Sequence, residues 1–353
     1  MKDDPRVMAS ALQAFTSDVF EGAGLPSADA SLVAEVLVWA NLRGIDSHGV
    51  LRIPTYLEWI ASGEMNPHPK QRLLHETPAI LHMDTNGALG PVGTVPAMHR
   101  VIDKARAIGI GWAVLSNITH QGAMGYYTLL AAEAGMAGIA ICCSRPNMAP
   151  FGARAAGVHN SPIAIAVPTG TREPLVLDMA TSITAGGKLS LARDKRQPLK
   201  SGWALDTDGK PTTSSNTGYA SKILVPASGA KGSGLALMFE CLTSLVAGQP
   251  LLIPALRDGP VGHRQNSIVA AIDIAAFTNL EDYRANTDEL IRLVKGLPIA
   301  AGFDEIMVPG EPEQRSFTER SKHGIPLPPG TVESLQAAAQ QFSLQLPAPL
   351  TSG

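Results

Sequence analysis

The sequence predicts an α/β protein whose strand-rich middle is flanked by helical segments at both ends. Three observations lead to this prediction. Residues 5 to 42 carry apolar side chains at helical spacing, and from residue 79 short apolar runs of strand length alternate with helical stretches. The last forty or so residues return to helix-forming and loop composition. With 353 residues, 45% of them apolar, the chain is long enough for two domains, or for one large domain with a helical annex.

The N-terminal segment predicts two amphipathic helices followed by a short turn. A Gly-, Pro- and Ser-containing break at 24–27 separates the helices, and Gly44 ends the second one. The turn Ser47-His48-Gly49 then precedes another helical stretch with Pro54 near its start. The turn therefore lies at a helix N-terminus.

The middle of the chain predicts a sheet with helices packed on it. Its apolar runs have the length of strands: AILHMD, GWAVLSN, AGIAICC, PIAIAVP, PLVLDMA and, further on, NSIVAAIDIAAF. Helical patterns interrupt them: VPAMHRVIDKARAIG, YTLLAAEAGM and SGLALMFECLTSLVAG. This alternation is typical of an α/β domain.

Charge and composition exclude several classes of protein. The net charge is −3 and the 28 basic residues are scattered, so we expect no nucleic-acid partner and no binding to an anionic membrane. The sequence has no apolar run of about eighteen residues and no signal-peptide pattern at its N-terminus, which favours a cytoplasmic location. Three cysteines without C-x-x-C spacing favour neither a disulfide framework nor a cysteine-based zinc site, and we expect no metal.

Common catalytic motifs are incomplete in this chain. The segments 109–111 and 232–234 read G-x-G but lack the third glycine of a Rossmann fingerprint. His75-Glu76 begins a zinc-protease pattern that Pro78 interrupts. Ser47 lies in G-x-x-S-x-G rather than the G-x-S-x-G of a nucleophile elbow, so a serine hydrolase is a weak alternative.

The segment 47–52 brings three chemically useful side chains together at a helix N-terminus. Arg52 could hold a small carboxylate by a bidentate contact, and the free N–H groups of the helix also favour anions. His48 could exchange a proton near neutral pH, with Ser47 orienting its ring or the substrate carbonyl. The alternative is structural, with His48 a surface turn residue and Ser47 a helix cap.

Three further segments could bind a ligand or serve only as turns. His120 follows a predicted strand and precedes Gln121 and two glycines, which allow the backbone to approach a ligand closely. The segment 178–182 ends another strand with hydroxyls suited to ribose or phosphate oxygens. Lys231 begins a helix among small residues, where lysine and free amides suit a pyrophosphate. A simple strand-to-helix turn explains His120 equally well, a capped helix start explains 178–182, and a flexible glycine loop explains Lys231.

Taken in order, seven segments resemble the malate/L-lactate dehydrogenase-like family, which also includes ureidoglycolate dehydrogenases, diketogulonate reductases and cyclic-imine carboxylate reductases. The resemblance covers nearly the whole chain. The matching segments are RGIDSHGVLRIPTYL (43–57), THQGAMGYYTLLAAEAGMAGIAICCS (119–144), APFGARAAGVHNSPIAIAVP (149–168), LVLDMATS (175–182), GWALDTDGKPTT (202–213), AKGSGLALM (230–238) and IMVPGEPE (306–313).

The resemblance implies a non-Rossmann fold with a largely antiparallel mixed sheet that binds the dinucleotide. It implies a helical domain at 1–75, with 313–353 packing back on it, and an α/β NAD(P)-binding domain at 76–312 with a helical insertion around 185–260. It also implies a homodimer with a shared cofactor cleft. The expected activity is hydride transfer between nicotinamide and C2 of a small 2-oxo or 2-hydroxy acid.

The resemblance also implies roles for individual residues. His48, beside Ser47, falls on the family's proton donor, and His120 is a second catalytic candidate that could also face the nicotinamide. The expected substrate-binding residues are Arg52, Asn160, Ser161 and Lys188. The expected cofactor-binding residues are His120, Ser144, Asp178, Met179, Ala180, Thr181, Ser182, Ala230, Lys231, Gly310 and Glu311.

Two departures from the family pattern bear on the substrate. Lys188 stands where cyclic-imine reductases have a proton-accepting aspartate, which disfavours imine reduction without removing it as the alternative. The segment 159–162 reads H-N-S-P where most relatives read G-T-N-P, and it forms an expected wall of the substrate pocket.

The cofactor preference and the function class also have alternatives. Arg145, with no acidic neighbour, favours NADP(H) over NAD(H). The alternative from another class is a non-catalytic dinucleotide-binding protein.

Overall fold

The computed structural model describes residues 4–194, 196–259 and 262–350. The helices within these ranges, in chain order, are α1 (Ala9–Gly22), α2 (Ser27–Leu42), α3 (Ile53–Ala61), α4 (Gly90–Ile108), α5 (Gly125–Glu133), α6 (Gly186–Asp194), α7 (Ser215–Ser221), α8 (Ala230–Glu240), α9 (Leu252–Asp258), α10 (Leu280–Lys295), α11 (Glu311–His323) and α12 (Pro329–Phe342). The strands are β1 (Arg6–Val7), β2 (Arg72–Glu76), β3 (Ile80–Asp84), β4 (Ile110–Ile118), β5 (Met136–Cys143), β6 (Ile163–Val167), β7 (Leu175–Met179), β8 (Ala204–Leu205), β9 (Pro211–Thr212), β10 (Ile223–Leu224), β11 (Gln265–Asp273) and β12 (Ile325–Pro326).

The N-terminal helices share a hydrophobic core with the C-terminal end of the chain. The apolar faces of α1, α2 and α3 pack with Ile325, Leu327 and Leu335, and β1 pairs with β12 in an antiparallel bridge. Helix α3 begins at Ile53 with a proline in its first turn, where the missing N–H costs no intrahelical hydrogen bond. The segment before α3 is therefore held from both ends of the sequence.

A seven-stranded sheet forms the centre of the molecule, in the order β2-β3-β4-β11-β5-β6-β7. The pair β3 and β4 is parallel, and the other five neighbouring pairs are antiparallel. This confirms the prediction of a largely antiparallel mixed sheet. The sheet thus differs from that of a doubly wound Rossmann domain, in which neighbouring strands are mostly parallel.

Both faces of the sheet are covered, because successive residues of a strand point to opposite sides. On β5, Ala140 and Cys142 pack against the helices α4 and α5, whereas Ile141 and Cys143 pack toward Phe239 of α8. Gly111 allows α4 to lie unusually close, since a Cβ there would come 2.0 Å from the carbonyl oxygen of Val101. These contacts hold β4 and β5 against the helices that cover the sheet.

Residues 185–258 extend from this sheet as helices α6 to α9 and a three-stranded sheet in the order β10-β8-β9. The sequence pattern predicted one helix here, at 233–248, and the family resemblance implied a helical insertion. Neither predicted the two-residue strands, which are too short to show a period. The sequence pattern also did not single out α10 or β2. Over the described ranges, no helix has the length and apolar character needed to cross a membrane.

Candidate active site

The turn between α2 and α3 is built from two short 3-10 helices, Asp46–His48 and Val50–Arg52. The hydroxyl of Ser47 lies 2.9 Å from Nδ1 of His48, and Nε of Arg52 donates to the carbonyl oxygen of Ser47 at 2.6 Å. Between the two helices, Gly49 lies against α2 so closely that a Cβ would come 2.1 Å from the side chain of Asn41. The turn thus brings Ser47, His48 and Arg52 together as the sequence predicted.

His120, at the end of β4, is brought to the same place by the sheet. Its ring stacks on that of His48, with centroids 5.5 Å apart and the planes within 13°. The buried hydroxyl of Tyr56, on α3, lies 2.6 Å from Nδ1 of His120. The two catalytic candidates therefore occupy one site rather than two.

Two more histidines belong to this cluster. The ring of His263 stacks on Trp59 at 3.9 Å and lies 6.3 Å from that of His120, and its Nε2 is buried without a hydrogen-bond partner in the described structure. The buried His159 has Nδ1 3.3 Å from the hydroxyl of Ser161. We refer to His48, His120, His159 and His263 as the histidine cluster.

Desolvation keeps the histidine cluster neutral. It is the main cause that lowers the pKa of His48 to about 3, and the positive charge of Arg52 lowers it further. The same order of causes, desolvation and then nearby positive charges, lowers the pKa of His159 and of His263 to about 3 and that of His120 well below its ordinary value. Arg145 is the charge that contributes most after desolvation at both His159 and His263. A bound anion would oppose these effects.

The predicted substrate-binding residues are placed differently from one another. Gly187 packs on the turn, since a Cβ there would come 2.6 Å from Cβ of Ser47 and 3.1 Å from Nη2 of Arg52. Lys188 follows it at the start of α6 with an exposed side chain.

The other two predicted substrate-binding residues, Asn160 and Ser161, lie before β6. The side-chain amide of Asn160 bonds with Asn147 at 2.9 Å and with Ser182 at 3.4 Å. The adjacent Ser161 is fully buried, with its hydroxyl 3.0 Å from Sγ of Cys143, so its side chain faces the interior.

The predicted cofactor residues at the end of β7 adjoin the N-terminus of α8. Asp178 accepts a hydrogen bond from the backbone N–H of Gly125 at 2.7 Å, and Ser182 donates to the carbonyl oxygen of Thr184 at 2.6 Å. A Cβ on Gly232, in the first turn of α8, would come 2.2 Å from the carbonyl oxygen of Thr181. The backbone therefore brings the hydroxyl segment 178–182 against the exposed Ala230 and Lys231, with Met179 exposed and Ala180 half-buried beside them.

These residues fit the phosphates of a dinucleotide. The hydroxyl of Thr181 is buried and has no hydrogen-bond partner in the described structure, and the same is true of Thr184. Buried hydroxyls usually find a partner, so these two are suited to bond to the oxygens of a ligand. The N–H groups of Lys231 and Gly232, in the first turn of α8, already donate to backbone carbonyl oxygens, so the contribution of this turn to an anion is the helix dipole. Helix α8 spans eleven residues, which gives its N-terminus a full helix dipole.

Three further predicted cofactor residues lie apart from the segment 178–182. Ser144, at the end of β5, donates to the carbonyl oxygen of Arg264 at 2.7 Å and thereby anchors the segment that carries His263. Gly310, with a φ of 86°, packs against the backbone of β7. The carboxylate of Glu311 is bound by Lys295 at 2.6 Å, which is the main cause that lowers its pKa to about 2.

Sequence reasoning missed Tyr56, Trp59 and His263 as parts of the site. The first two have the spacing of apolar positions on α3 and read as core residues, and His263 lay in a Gly- and Pro-rich loop without a motif. Only the tertiary contacts of Tyr56 with His120 and of Trp59 with His263 reveal them. In the described parts of the chain, no three His, Cys, Asp or Glu side chains gather in a way that could hold a metal ion.

Comparison with known proteins gives one consistent result. The model of the malate/L-lactate dehydrogenase family matches residues 7–336. The chain is 35% identical to the malate dehydrogenase of Pyrococcus horikoshii, with 96% of each chain covered. It is 34% identical to the L-sulfolactate dehydrogenase of Methanocaldococcus jannaschii, covering 93% of this chain and 95% of that one. It is also 34% identical to the NAD⁺-dependent ureidoglycolate dehydrogenase of Escherichia coli O157:H7, covering 86% and 87%.

The solved structure of the Pyrococcus horikoshii enzyme superimposes with a TM-score of 0.89, at 33% identity, over 98% of this chain and 97% of that one. The likeness in sequence and in fold extends from the N-terminal helices to α12, and confirms the resemblance drawn from the seven segments. The chain is an oxidoreductase of the malate/L-lactate dehydrogenase family.

Proposed function

We propose that the protein interconverts a small 2-hydroxy acid and the corresponding 2-oxo acid, with His48 exchanging the proton and the nicotinamide exchanging the hydride. The observation that carries this proposal is the stacked pair of His48 and His120 beside Arg52. A proton-transferring group, a hydrogen-bond donor and a carboxylate-binding cation are the set that such a reaction needs.

His48 is suited to act as a base toward the hydroxy acid. With its pKa near 3 the ring is neutral. The proposal requires the tautomer in which Nδ1 donates its hydrogen bond to the hydroxyl of Ser47, which leaves the lone pair of Nε2 for the substrate hydroxyl. When the substrate is oxidised, Nε2 takes the hydroxyl proton, and in the reverse direction it returns the proton to the carbonyl oxygen. Ser47 keeps the ring in the same orientation throughout, because its hydroxyl stays paired with Nδ1.

His120 is suited to hold the reacting oxygen. Desolvation raises the pKa of Tyr56, so its hydroxyl stays protonated. This hydroxyl lies 2.6 Å from Nδ1 of His120 and 3.4 Å from the backbone carbonyl oxygen of the same residue, and the proposal requires that it donates to the nearer atom, Nδ1. This assigns the remaining ring proton to Nε2, which can donate a hydrogen bond to the substrate oxygen. Desolvation strengthens such a bond, since fewer water molecules compete for it.

Arg52 is the proposed partner of the substrate carboxylate. Its Nε is already bound to the carbonyl oxygen of Ser47, which fixes the plane of the guanidinium next to His48. A carboxylate on Arg52 would offset the positive charge that helps to lower the pKa of His48. Substrate binding should therefore raise that pKa toward the range in which the ring can also act as an acid.

The hydroxyl segment 178–182, the first turn of α8, Ser144 and the Gly310-Glu311 pair are the proposed cofactor-binding residues. When bound, the dinucleotide supplies a nicotinamide that carries the hydride. A preference for NADP(H) over NAD(H) stays a prediction based on Arg145. The charge of Arg145 also lowers the pKa of His159 and of His263. The ratio of the Kd values for the two dinucleotides with wild-type protein and with Arg145→Ala tests this preference.

The alternative reaction, reduction of a cyclic imine carboxylate, needs the same carboxylate contact but protonates nitrogen. The exposed Lys188, next to Gly187 at the turn, adds positive charge where a positively charged imine would bind, and thus favours an oxo acid. Malate, sulfolactate and ureidoglycolate with NAD(P)⁺, and pyrroline-2-carboxylate with NAD(P)H, are the substrates to compare. Turnover of the imine alone would overturn this proposal.

Domain division, assembly and location stay predictions. The shared core of α1, α2, α3 and α12 supports a helical domain at 1–75 with 313–353 packed on it, and the central sheet supports the α/β domain at 76–312. Apolar side chains exposed on and near α8, α9 and α10 support a homodimer: Leu237, Met238, Val246, Leu256, Leu290 and Leu293. Analytical ultracentrifugation, which measures the mass of the particle in solution, tests the dimer. A cytoplasmic location stays an expectation.

The variant His48→Ala tests the central proposal. It should lower kcat at least about a hundredfold, as loss of a general acid or base does, while dinucleotide binding is unchanged. His75→Ala is the matched control, because His75 lies exposed on β2. A His48→Ala enzyme that keeps most of its rate would move the proton transfer to His120 or to water. A wild-type protein that binds dinucleotide and turns over no substrate would be the non-catalytic alternative.

A further inference from the structure

The turn that carries His48 is held by side chains from two distant helices. Asp46, two residues before His48, accepts a hydrogen bond from Nδ2 of Asn41 at 2.6 Å. Arg320, on α11, binds the same carboxylate with both terminal nitrogens, at 2.7 and 3.1 Å. We refer to Asn41, Asp46 and Arg320 as the turn clamp.

Asn41 connects the clamp to both sides of the turn. The side-chain Oδ1 of the buried Asn41 accepts a hydrogen bond from the backbone N–H of Val50 at 2.8 Å, and the backbone carbonyl oxygen of Asn41 accepts one from Nη1 of Arg320. The close contact with Gly49 fills the remaining space. The clamp therefore spans residues 46 to 50, with Ser47 and His48 inside the span.

The backbone alone holds this turn weakly. Within it, the N–H of His48 bonds to the carbonyl oxygen of Ile45 at 2.9 Å, and that of Gly49 bonds to Asp46 at 3.2 Å. Short 3-10 turns of this kind have poorer hydrogen-bond geometry than an α-helix. A bidentate contact between arginine and carboxylate is both stronger and more directional. The side chain of Arg320 is 15% exposed, so solvent screens this pair less than a surface pair.

The helix that carries Arg320 is itself fixed on α2. Arg43, just past the end of α2, donates to the side chain of Gln314 at 3.0 Å and to the carbonyl oxygen of Gly310 at 3.4 Å. Arg43 binds the first turn of α11 and Arg320 binds from its last turn. Both ends of helix α11 are thus bonded to residues 41–46.

We propose that Arg320 is a positioning residue that holds His48 in its reactive orientation through Asp46 and Asn41. This inference rests on the proposed role of His48. Catalytic groups must be placed within a fraction of an ångström, and a misplacement of about 1 Å lowers rates about a hundredfold. Arg320 touches neither substrate nor cofactor in this proposal, so its loss acts on the rate of the chemical step.

The experiment compares Arg320→Ala, Arg320→Lys and the nearly isosteric Asp46→Asn with a matched control on the same helix. The control is Glu319→Gln, which removes the neighbouring surface ion pair with Arg6 at 2.7 Å and leaves the clamp intact. For each variant, we would measure kcat, KM, the primary isotope effect with substrate deuterated at C2, dinucleotide affinity and Tm.

Arg320→Ala should lower kcat by about 10- to 100-fold and raise the isotope effect on kcat toward its intrinsic value, because hydride transfer becomes rate-limiting. Dinucleotide affinity should not change. Arg320→Lys should recover part of the rate, since an ammonium keeps the charge without the bidentate geometry. Added guanidinium at low millimolar concentration should partly rescue Arg320→Ala and leave Glu319→Gln unaffected. Asp46→Asn should give the same rise in isotope effect even if Arg320→Ala folds poorly.

Two results would overturn the inference. One is a wild-type kcat and isotope effect in Arg320→Ala and Asp46→Asn. The other is a loss of kcat that matches a loss of folded protein, with an unchanged isotope effect, which would make the clamp structural only. Failure of the proposed function is recognised separately, because His48→Ala would then keep its activity whatever Arg320 does.

Discussion

The two directions of the reaction should depend on pH in opposite ways, because His48 is neutral in the unliganded chain. Its pKa is about 3, against an ordinary value of 6.5. At pH 6.5 an ordinary histidine is half protonated, whereas about one His48 in three thousand carries the proton. Oxidation needs the neutral ring and reduction needs the protonated one. The lowered pKa therefore leaves the base form fully available above about pH 5.

The assay measures kcat/KM from pH 5 to pH 9 at constant ionic strength. It uses the hydroxy acid that the protein oxidises fastest with NAD(P)⁺ in one direction, and the corresponding oxo acid with NAD(P)H in the other. For oxidation, kcat/KM should show no break near pH 6.5. For reduction, kcat/KM should fall about tenfold for each unit by which the pH rises. At a pH well above the pKa of His48, the fraction of His48 that is protonated falls tenfold per pH unit. His48→Ala should remove the pH dependence of reduction along with most of the rate.

A break near pH 6.5 in both directions would refute this reasoning. It would mean that water and counter-ions reach His48 well enough to cancel the desolvation and the charge of Arg52. A profile that persists in His48→Ala would assign the titrating group to His120 instead. The control His75→Ala should reproduce the wild-type profile.

Three further predictions concern the same site. Tyr56→Phe should lower kcat about tenfold with little change in KM, since His120 loses the hydroxyl that selects its tautomer; an unchanged kcat would contradict this. Arg52→Lys should raise KM for the acid at least about tenfold, because an ammonium cannot form the bidentate contact; unchanged KM would place the carboxylate elsewhere. The free energy of unfolding should fall as the pH drops from 6.5 toward 3, since the unfolded chain then binds protons that folded His159 and His263 reject; a Tm that is equal at pH 7.5 and 5, or a fall that His159→Gln does not reduce, would argue against it.

The parts of the fold that follow from the sequence are those that local periodicity controls. Six apolar runs predicted as strands became β3 to β7 and β11, and the three helical patterns between and after them became α4, α5 and α8. These segments are long enough, and periodic enough, for their buried faces to be read from the sequence. Two-residue strands such as β8 and β9 have no period, so they depend on their neighbours in space.

The antiparallel order of the central sheet came from the family resemblance rather than from periodicity. Apolar runs such as AGIAICC are buried on both faces, and such runs occur in parallel and antiparallel sheets alike. The structure confirms the antiparallel arrangement. Strand β11, which is distant in sequence, lies between β4 and β5 and is antiparallel to both. No local pattern encodes that insertion.

The candidate site divides along the same line. The sequence by itself determined that Ser47, His48 and Arg52 lie close together, because they fall within six consecutive residues. Tertiary structure decided that His120 stacks on His48, that Tyr56 and His263 join them, and that Arg320 holds the turn from 274 positions away in sequence from Asp46. Desolvation also acts only after folding, since an imidazole loses its water when the helices and the sheet close around it. The composition of the turn therefore follows from the sequence, whereas its chemistry follows from what packs against it.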